Sequence, residues 1–219
     1  MAKLIPIMSK TSLKKVLRKA PGYPWMLHWA ILSPLLAFVF ITGSLHGFWG
    51  KQPQAWYELL RMAYPAVTAW MKAITKYSAV MLYIGYTIIL ACAILRKSNN
   101  TIFFVLRFII AAVMYSLLLT QILKAGLGAP RPGHSLPLQP FSFLNDYSSF
   151  PSGHTVAIIA AAAPLALWLD KRTGYVLFSL LIAVVGISRL WLGVHHPVDI
   201  LGGIAVGSLA ARAAYCPHK

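Results

Sequence analysis

The stretch Ser188–Asp199, SRLWLGVHHPVD, places an arginine, two adjacent histidines and an aspartate between two strongly apolar runs. A helix that begins near Pro197 would bring the Asp199 carboxylate beside the imidazole of His195, four residues earlier. A carboxylate that accepts one ring N–H fixes the tautomer and leaves the other nitrogen free to attack an electrophile. His196 has a spacing that a helix also permits, and a purely structural ion pair is the alternative, so spacing alone does not choose.

A second polar cluster, KAGLGAPRP, begins at Lys124 and contains Arg131 seven residues later. The glycines and prolines between these two cations allow the chain to fold back on itself, so that both side chains could converge on one anion. Ordinary interfacial lysine and arginine residues would look the same when considered alone.

A third cluster, FPSGHTVAII, has the composition of a helix start at Ser152 and Gly153, with His154 in the first turn. Unpaired backbone N–H groups and the positive end of the helix dipole make such a start a ready anion site. A plain helix start is the alternative. The Gly-x-Ser-x-Gly elbow of serine hydrolases is absent, so we expect Ser152 to donate to a phosphate and not to act as a nucleophile.

Together the three clusters indicate a pocket that binds a phosphate group and catalytic residues that break its ester bond. Lys124, Arg131 and Arg189 could neutralise the charge on the phosphoryl oxygens, helped by backbone amides near Gly153. We expect no metal and no other cofactor, because the acidic residues are too few for a Mg²⁺ site. The whole chain has only four: Glu58, Asp146, Asp170 and Asp199.

The composition of the 219-residue chain is that of a helical membrane protein. Hydrophobic residues make up 58% of it and its mean hydropathy is +0.68, well above ordinary soluble domains. The formal net charge of +16 implies anionic partners. We do not expect nucleic acid, because most basic residues lie beside apolar runs, where lipid headgroups and the positive-inside bias explain them. Cys92 and Cys216 indicate neither a disulfide framework nor a metal site.

The hydropathy pattern predicts an all-α fold in one domain, 1–219: a six-transmembrane helix bundle. The predicted spans are Met26–Trp49, Ser78–Leu95, Ile102–Leu123, Thr155–Leu169, Gly174–Ile187 and Val198–Tyr215. Residues 50–77 are predicted to form a helical segment lying at the outer interface between the first two spans. Residues 124–154 are predicted to form an outer loop that bears the first two motifs.

The distribution of positive charge predicts the orientation of the spans. The basic segment 1–25 contains no acidic residue, so we expect it to stay in the cytoplasm, and six spans then place both termini there. All three clusters fall at the outer ends of the last four spans. The pocket is therefore predicted to face the periplasm or the exterior.

The three clusters resemble the tripartite signature of the type-2 phosphatidic acid phosphatase superfamily, and the six spans resemble its membrane branch. The matching residues are Lys124 with Arg131-Pro132, then Pro151-Ser152-Gly153-His154, then Ser188-Arg189 with His195 and Asp199. The resemblance implies that His195 is a nucleophile that becomes a phosphohistidine, that Asp199 orients it, and that His154 is the general acid and then the base. It implies phosphate contacts from Lys124, Arg131, Ser152, Gly153 and Arg189.

The resemblance also implies a lipid substrate within the bilayer and a bacterial inner membrane location. Members of the family act on phosphatidic acid, phosphatidylglycerol phosphate, polyprenyl diphosphate or lipid A phosphates, and the residues do not choose among these. The loop from Pro130 to Pro151 either covers the site and selects the lipid or is a rigid connector. A lipid phosphotransferase would use the same residues, and an anionic-lipid transporter would need the cations but not His195. The six spans and the small size count against the vanadium haloperoxidase branch.

Overall fold

A computed structural model describes residues 22–134 and 137–217, and the helices in these two ranges confirm the predicted all-α class. Seven α-helices follow one another along them: α1 Trp25–His46, α2 Lys51–Ala63, α3 Pro65–Leu95, α4 Asn99–Leu127, α5 Gly153–Leu169, α6 Arg172–Trp191 and α7 Pro197–Ala214. A short 3-10 helix, Asn145–Tyr147, lies between α4 and α5, and the described residues contain no strand. Helix α4 contains a π-helical stretch, Ala112–Leu119. Most of the predicted basic segment 1–25 lies outside the described residues.

Five of the helices are long and apolar enough to cross a membrane: α1, α3, α4, α6 and α7. They make the chain a multi-pass integral membrane protein. Helix α5 corresponds to the predicted span Thr155–Leu169 and is apolar, but its 17 residues are fewer than in the other five helices. At 1.5 Å per residue it is about 26 Å long, slightly less than the hydrocarbon core of a typical bilayer. Crossing by this sixth helix stays a prediction.

The predicted boundary at Ser78, between an interfacial segment and the second span, is not where the helices divide. The break falls at Tyr64, and α3 runs without interruption from Pro65 to Leu95. Proline is favoured in the first turn of a helix and cannot continue the preceding one, so Pro65 separates α2 from α3. The mixture of aromatic and charged residues in 50–77 is the reason that the sequence predicts a segment too polar to belong to the span. The interfacial position of 50–77 stays a prediction.

Helix α5 lies in the middle of the core. All of residues 158–167 are buried, which is typical of a helix that is apolar on every side. Its closest approach is to α7, through glycines. A Cβ at Gly203 would lie 2.7 Å from Thr155 Cβ and 3.0 Å from the Ser152 carbonyl oxygen, and a Cβ at Gly207 would lie 2.8 Å from Ile159 Cβ. Small residues thus let the two backbones touch, as at other transmembrane helix interfaces.

Helices α3 and α4 form the more open side of the bundle. Many of their large apolar side chains are exposed, among them Val80, Met81, Ile84, Ile88, Ile110, Met114, Leu117 and Leu118. A cavity of about 440 Å³ lies between α3, α4 and α5, and its lining includes Tyr83, Thr87, Ser116 and Ala157. This outward apolar surface is what a membrane-embedded helix pair presents to lipid.

Candidate active site

His195 and Asp199 lie together at the start of α7, which begins at Pro197 as predicted. The His195 Nδ1 atom is 3.4 Å from Asp199 Oδ2, and the two side chains are 3% and 0% exposed. This separation is longer than an ideal hydrogen bond, but catalytic hydrogen bonds are often long before substrate binds. The structure therefore gives His195 the carboxylate neighbour that the spacing predicts.

The surroundings of His195 favour its neutral form. Burial lowers the pKa of His195 to about 4, and the hydrogen bond and charge of Asp199 offset only part of this effect. The positive charges of Arg189 and Lys124 lower it further. A neutral imidazole near pH 7 has a nitrogen lone pair available for attack.

His196 contacts the same carboxylate through its backbone and not through its ring. Its backbone N–H donates to Asp199 Oδ2 at 2.7 Å. Its ring stacks on Trp49, with centroids 4.6 Å apart and an interplanar angle of 21°. Burial lowers the pKa of His196 as well. Of the two histidines, only His195 directs a ring nitrogen at Asp199, an arrangement that supports the choice implied by the family resemblance.

Ser152 is the N-cap of α5, and Gly153 and His154 occupy its first turn. The Ser152 backbone N–H donates to the Asp199 carbonyl oxygen at 3.0 Å, which ties the start of α5 to the start of α7. Ser152 is buried and its hydroxyl accepts a hydrogen bond from Thr155 at 3.0 Å, whereas His154 is exposed. The free N–H groups of this helix start are available to an anion.

Lys124 and Arg131 converge on Ser148. Lys124 Nζ donates to the Ser148 carbonyl oxygen, and Arg131 Nη2 lies 3.4 Å from the Ser148 hydroxyl. Arg131 also donates to the Asn145 carbonyl oxygen at 2.9 Å and to its side-chain oxygen at 3.1 Å. The chain reverses at Gly128, whose φ of +53° ends α4 in the left-handed region.

The boundary of the predicted loop 124–154 needs a correction, because α4 continues past Lys124. Lys124 lies in the last turn of the helix and not in the loop, which begins at Gly128. The helical position sets Lys124 against the start of α5. A Cβ at Gly153 would lie 3.8 Å from Lys124 Cε.

Arg189 lies near the end of α6 and is only 9% exposed. One of its terminal nitrogens donates to Thr75 Oγ1 at 3.2 Å. Its buried Nε has no hydrogen-bond partner among the described residues. A buried N–H without an acceptor is costly, so Arg189 is well suited to a ligand that brings acceptor oxygens.

The three cations and two histidines lie within electrostatic reach of one another. Lys124 interacts with Arg131 and Arg189, while His154 interacts with all three cations and with His195. The predicted site residues thus meet where α4 and α6 end and where α5 and α7 begin. This arrangement can bind a tetrahedral anion beside a neutral imidazole.

Several residues of the site have no signal in the sequence. Ser149 donates to Asp199 Oδ2, and Ser148, Asn145, Thr75 and Trp49 hold or cover the predicted residues as described above. Only the position of Ser148 and Ser149 beside the FPSGH motif could have drawn attention to them. Asn145 lies in the same loop, whereas Thr75 and Trp49 come from distant segments.

Three other histidines among the described residues direct their rings at partners outside this cluster. His134 lies 3.6 Å from Asp146 with both side chains well exposed, His46 stacks on Trp56, and His28 is buried in the core. Within 22–134 and 137–217, no group of three or more His, Cys, Asp or Glu side chains could hold a metal ion.

The family model of the PAP2 superfamily matches residues 104–219. The chain is 32% identical over 102 residues to a lipid A 1-phosphatase of Rhizobium johnstonii, covering 44% of this chain and 41% of the relative. It is 33% identical over 101 residues to phosphatidylglycerophosphatase B of Bacillus subtilis, covering 42% and 47%. The matches therefore span less than half the length of these curated relatives.

Two further similarities were found. The chain is 41% identical over 61 residues to undecaprenyl-diphosphatase BcrC of Bacillus subtilis, covering 27% of this chain and 30% of the relative. A crystal structure of a transmembrane PAP2-type phosphatidylglycerolphosphate phosphatase from Bacillus subtilis aligns with 83% of this chain and 92% of its own, at 24% identity and a TM-score of 0.49.

Proposed function

This chain belongs to the PAP2 superfamily, as its three motifs predicted, and from that premise we propose that it is a membrane lipid phosphatase. It removes a phosphate from a lipid phosphate or diphosphate through a phosphohistidine. The observation that carries the proposal is the meeting of the His195–Asp199 pair with three cations and a helix N-terminus. A neutral buried imidazole beside a cluster of cations is an arrangement that supports nucleophilic phosphoryl transfer.

In the first step, His195 Nε2 attacks phosphorus while the bond from phosphorus to the lipid oxygen breaks. Asp199 accepts the Nδ1–H hydrogen bond and stabilises the positive charge that develops on the ring. Lys124, Arg131 and Arg189 neutralise the phosphoryl oxygens, with the Ser152 hydroxyl and the backbone N–H groups at Gly153 and His154. His154, protonated in the substrate complex because the bound phosphate anion favours its charged form, donates a proton to the departing lipid oxygen.

In the second step, His154 takes a proton from a water molecule, which attacks the phosphohistidine. The phosphorus–nitrogen bond breaks, inorganic phosphate leaves, and His195 returns to its neutral form. The side chains and backbone amides supply the charge that balances the transferring group, so the proposed reaction requires no metal ion.

The proposed substrate is a lipid that stays in the bilayer while its phosphate enters the site. Candidates are phosphatidylglycerol phosphate, phosphatidic acid, polyprenyl diphosphate and lipid A phosphate, since the similar proteins carry names of three of these kinds. The proposed topology has six spans, an interfacial segment at 50–77, both termini in the cytoplasm and the site on the outer face of the bacterial inner membrane. The ends of α4 and α6 and the starts of α5 and α7 lie together, which agrees with one shared face.

The test is release of inorganic phosphate by the purified protein from a panel of these lipid phosphates in detergent or vesicles. We expect activity on at least one of them, inhibition by vanadate and no loss in EDTA. Loss in EDTA that Mg²⁺ restores would contradict the metal-free reaction. A phosphorylated acceptor lipid without free phosphate would identify a phosphotransferase. Full function of a His195→Ala variant, together with loss of function in Arg131→Ala and Arg189→Ala, would favour a non-enzymatic transporter.

A further inference from the structure

We propose that Ser149 is a positioning residue, which acts through Asp199 to orient the nucleophile His195. This inference rests on the proposed function. Ser149 lies outside the three motifs, yet its hydroxyl donates to Asp199 Oδ2. The two residues are fifty positions apart in the chain and both are 0% exposed.

The Asp199 carboxylate is held from one side only. Oδ2 accepts from the Ser149 hydroxyl and from the His196 backbone N–H, and the same atom is the one nearest His195 Nδ1. Oδ1 is buried and has no hydrogen-bond partner among the described residues. The rotation of the carboxylate is therefore set by the donors on Oδ2, and Ser149 is the one side-chain hydroxyl among them.

Ser149 is itself fixed by its backbone. Its N–H donates to the Ala129 carbonyl oxygen at 3.0 Å, just after the turn at Gly128 that ends α4. The carbonyl oxygen of the preceding residue, Ser148, accepts a hydrogen bond from the Lys124 ammonium. Two consecutive residues thus connect a phosphate-binding cation to the carboxylate behind the nucleophile. The site can align phosphate and imidazole through this one short segment.

The chemistry of Ser149 is that of a hydrogen-bond donor to an anion. A donor to a carboxylate forms a charge-assisted hydrogen bond, roughly twice as strong as a neutral one. Asp199 must keep a fixed direction while His195 gains positive charge, and a buried carboxylate that loses a donor is free to turn away. Ser149 is not a second nucleophile, because its hydroxyl is buried against Asp199.

The first experiment compares Ser149→Ala and Ser149→Cys with Ser179→Ala in phosphate release. Ser179 is a matched control: its buried hydroxyl donates to the Ile31 carbonyl oxygen at 2.7 Å, away from the site. We expect Ser149→Ala to lower kcat by about tenfold with KM unchanged within about twofold. The kcat of Ser149→Cys should lie between those of Ser149→Ala and the wild type, since a thiol is a weak donor. Ser179→Ala should keep the wild-type kcat.

The second experiment is a double-mutant cycle with Asp199→Ala, assayed with radiolabelled lipid phosphate so that low rates are measurable. If Ser149 acts through Asp199, Ser149→Ala should have almost no further effect when Asp199 is already alanine. Additive losses, or a Ser149→Ala kcat within about twofold of wild type, would overturn the inference. A wild-type protein with no phosphatase activity would instead overturn the proposed function. Thermal unfolding of each variant checks that the loss is not one of folding.

Discussion

Two buried histidines, His195 and His28, contact α7 at different places, and their hydrogen-bond partners differ in charge. His195 precedes the helix and faces the Asp199 carboxylate at 3.4 Å. His28 reaches the helix from α1, where its Nε2 lies 2.9 Å from Ser208 Oγ and its Nδ1 lies 2.7 Å from the Tyr23 hydroxyl. Ser208 lies nine residues after Asp199, about 13 Å further along the helix axis.

Both histidines are buried, but only His195 lies next to charged groups. His28 is 0% exposed, and each of its ring nitrogens has a hydroxyl as its hydrogen-bond partner. Neither nitrogen is therefore available to a ligand. His195 has a carboxylate on one nitrogen, cations within electrostatic reach and the exposed His154 nearby. A buried histidine becomes a candidate nucleophile when a charge orients it and a neighbouring group remains accessible.

The largest difference should come from removing each imidazole. His195→Ala should lower kcat by about a thousandfold or more, because a chemical participant is lost, and should leave lipid phosphate binding largely intact. His28→Ala should keep the wild-type kcat per folded molecule. Phosphate release and lipid binding by the purified variants measure both effects. Equal losses of kcat in the two variants would contradict the assignment of His195, and not His28, as the nucleophile.

A smaller difference in kcat/KM should come from two arginines, one in the site near the start of α7 and one that contacts the end of α7. Arg189→Lys should lower kcat/KM by about tenfold, because a lysine cannot both reach Thr75 and present a planar fork to phosphate. Arg107→Lys is the matched control, since Arg107 donates from two nitrogens to the Ala213 carbonyl oxygen, near the end of α7. Steady-state kinetics on one lipid phosphate should show wild-type values for this control.

The pH dependence tests the neutral state of His195. Burial lowers its pKa to about 4, so the reactive neutral form persists as the pH falls and is half lost only near pH 4. With an aryl phosphate, whose leaving group needs no proton from His154, the rate of phosphohistidine formation should stay flat between about pH 7 and pH 5 once it is corrected for the second ionisation of the substrate, at about pH 6. A half-maximal rate near the ordinary value of about 6.5 would mean that His195 is solvated.

The smallest effect on activity should come from the hydroxyl partners of His28. Ser208→Ala leaves the buried His28 Nε2 without its partner and should lower the free energy of unfolding by about 1 to 3 kcal/mol. The rate per folded molecule should not change. Thermal unfolding in detergent, followed beside phosphate release, checks both statements. A loss of kcat at an unchanged unfolding temperature would connect the His28 cluster to the chemistry.

The sequence predicted what depends on local spacing and composition. Pro197 marks the start of α7, Ser152 and Gly153 mark the start of α5, and the pairing of His195 with Asp199 needs only one helical turn. The contacts that complete the site join distant segments, and no local rule reports them. Thr75 is 114 positions from Arg189, so its hydrogen bond exists only once α3 and α6 have packed together.

The glycine contact between α5 and α7 has a consequence for how the protein could diversify. Gly203 and Gly207 lie directly against Thr155 and Ile159 of α5, so the distance between the two motif-bearing helix starts is set inside the bundle, by the α5–α7 contact. The outward surface of α3 and α4 can then change its shape and its volume without altering the spacing of the reactive groups. In the proposed lipid phosphatase, substitutions on that surface would change which lipid tail fits while the reactive groups stay in place.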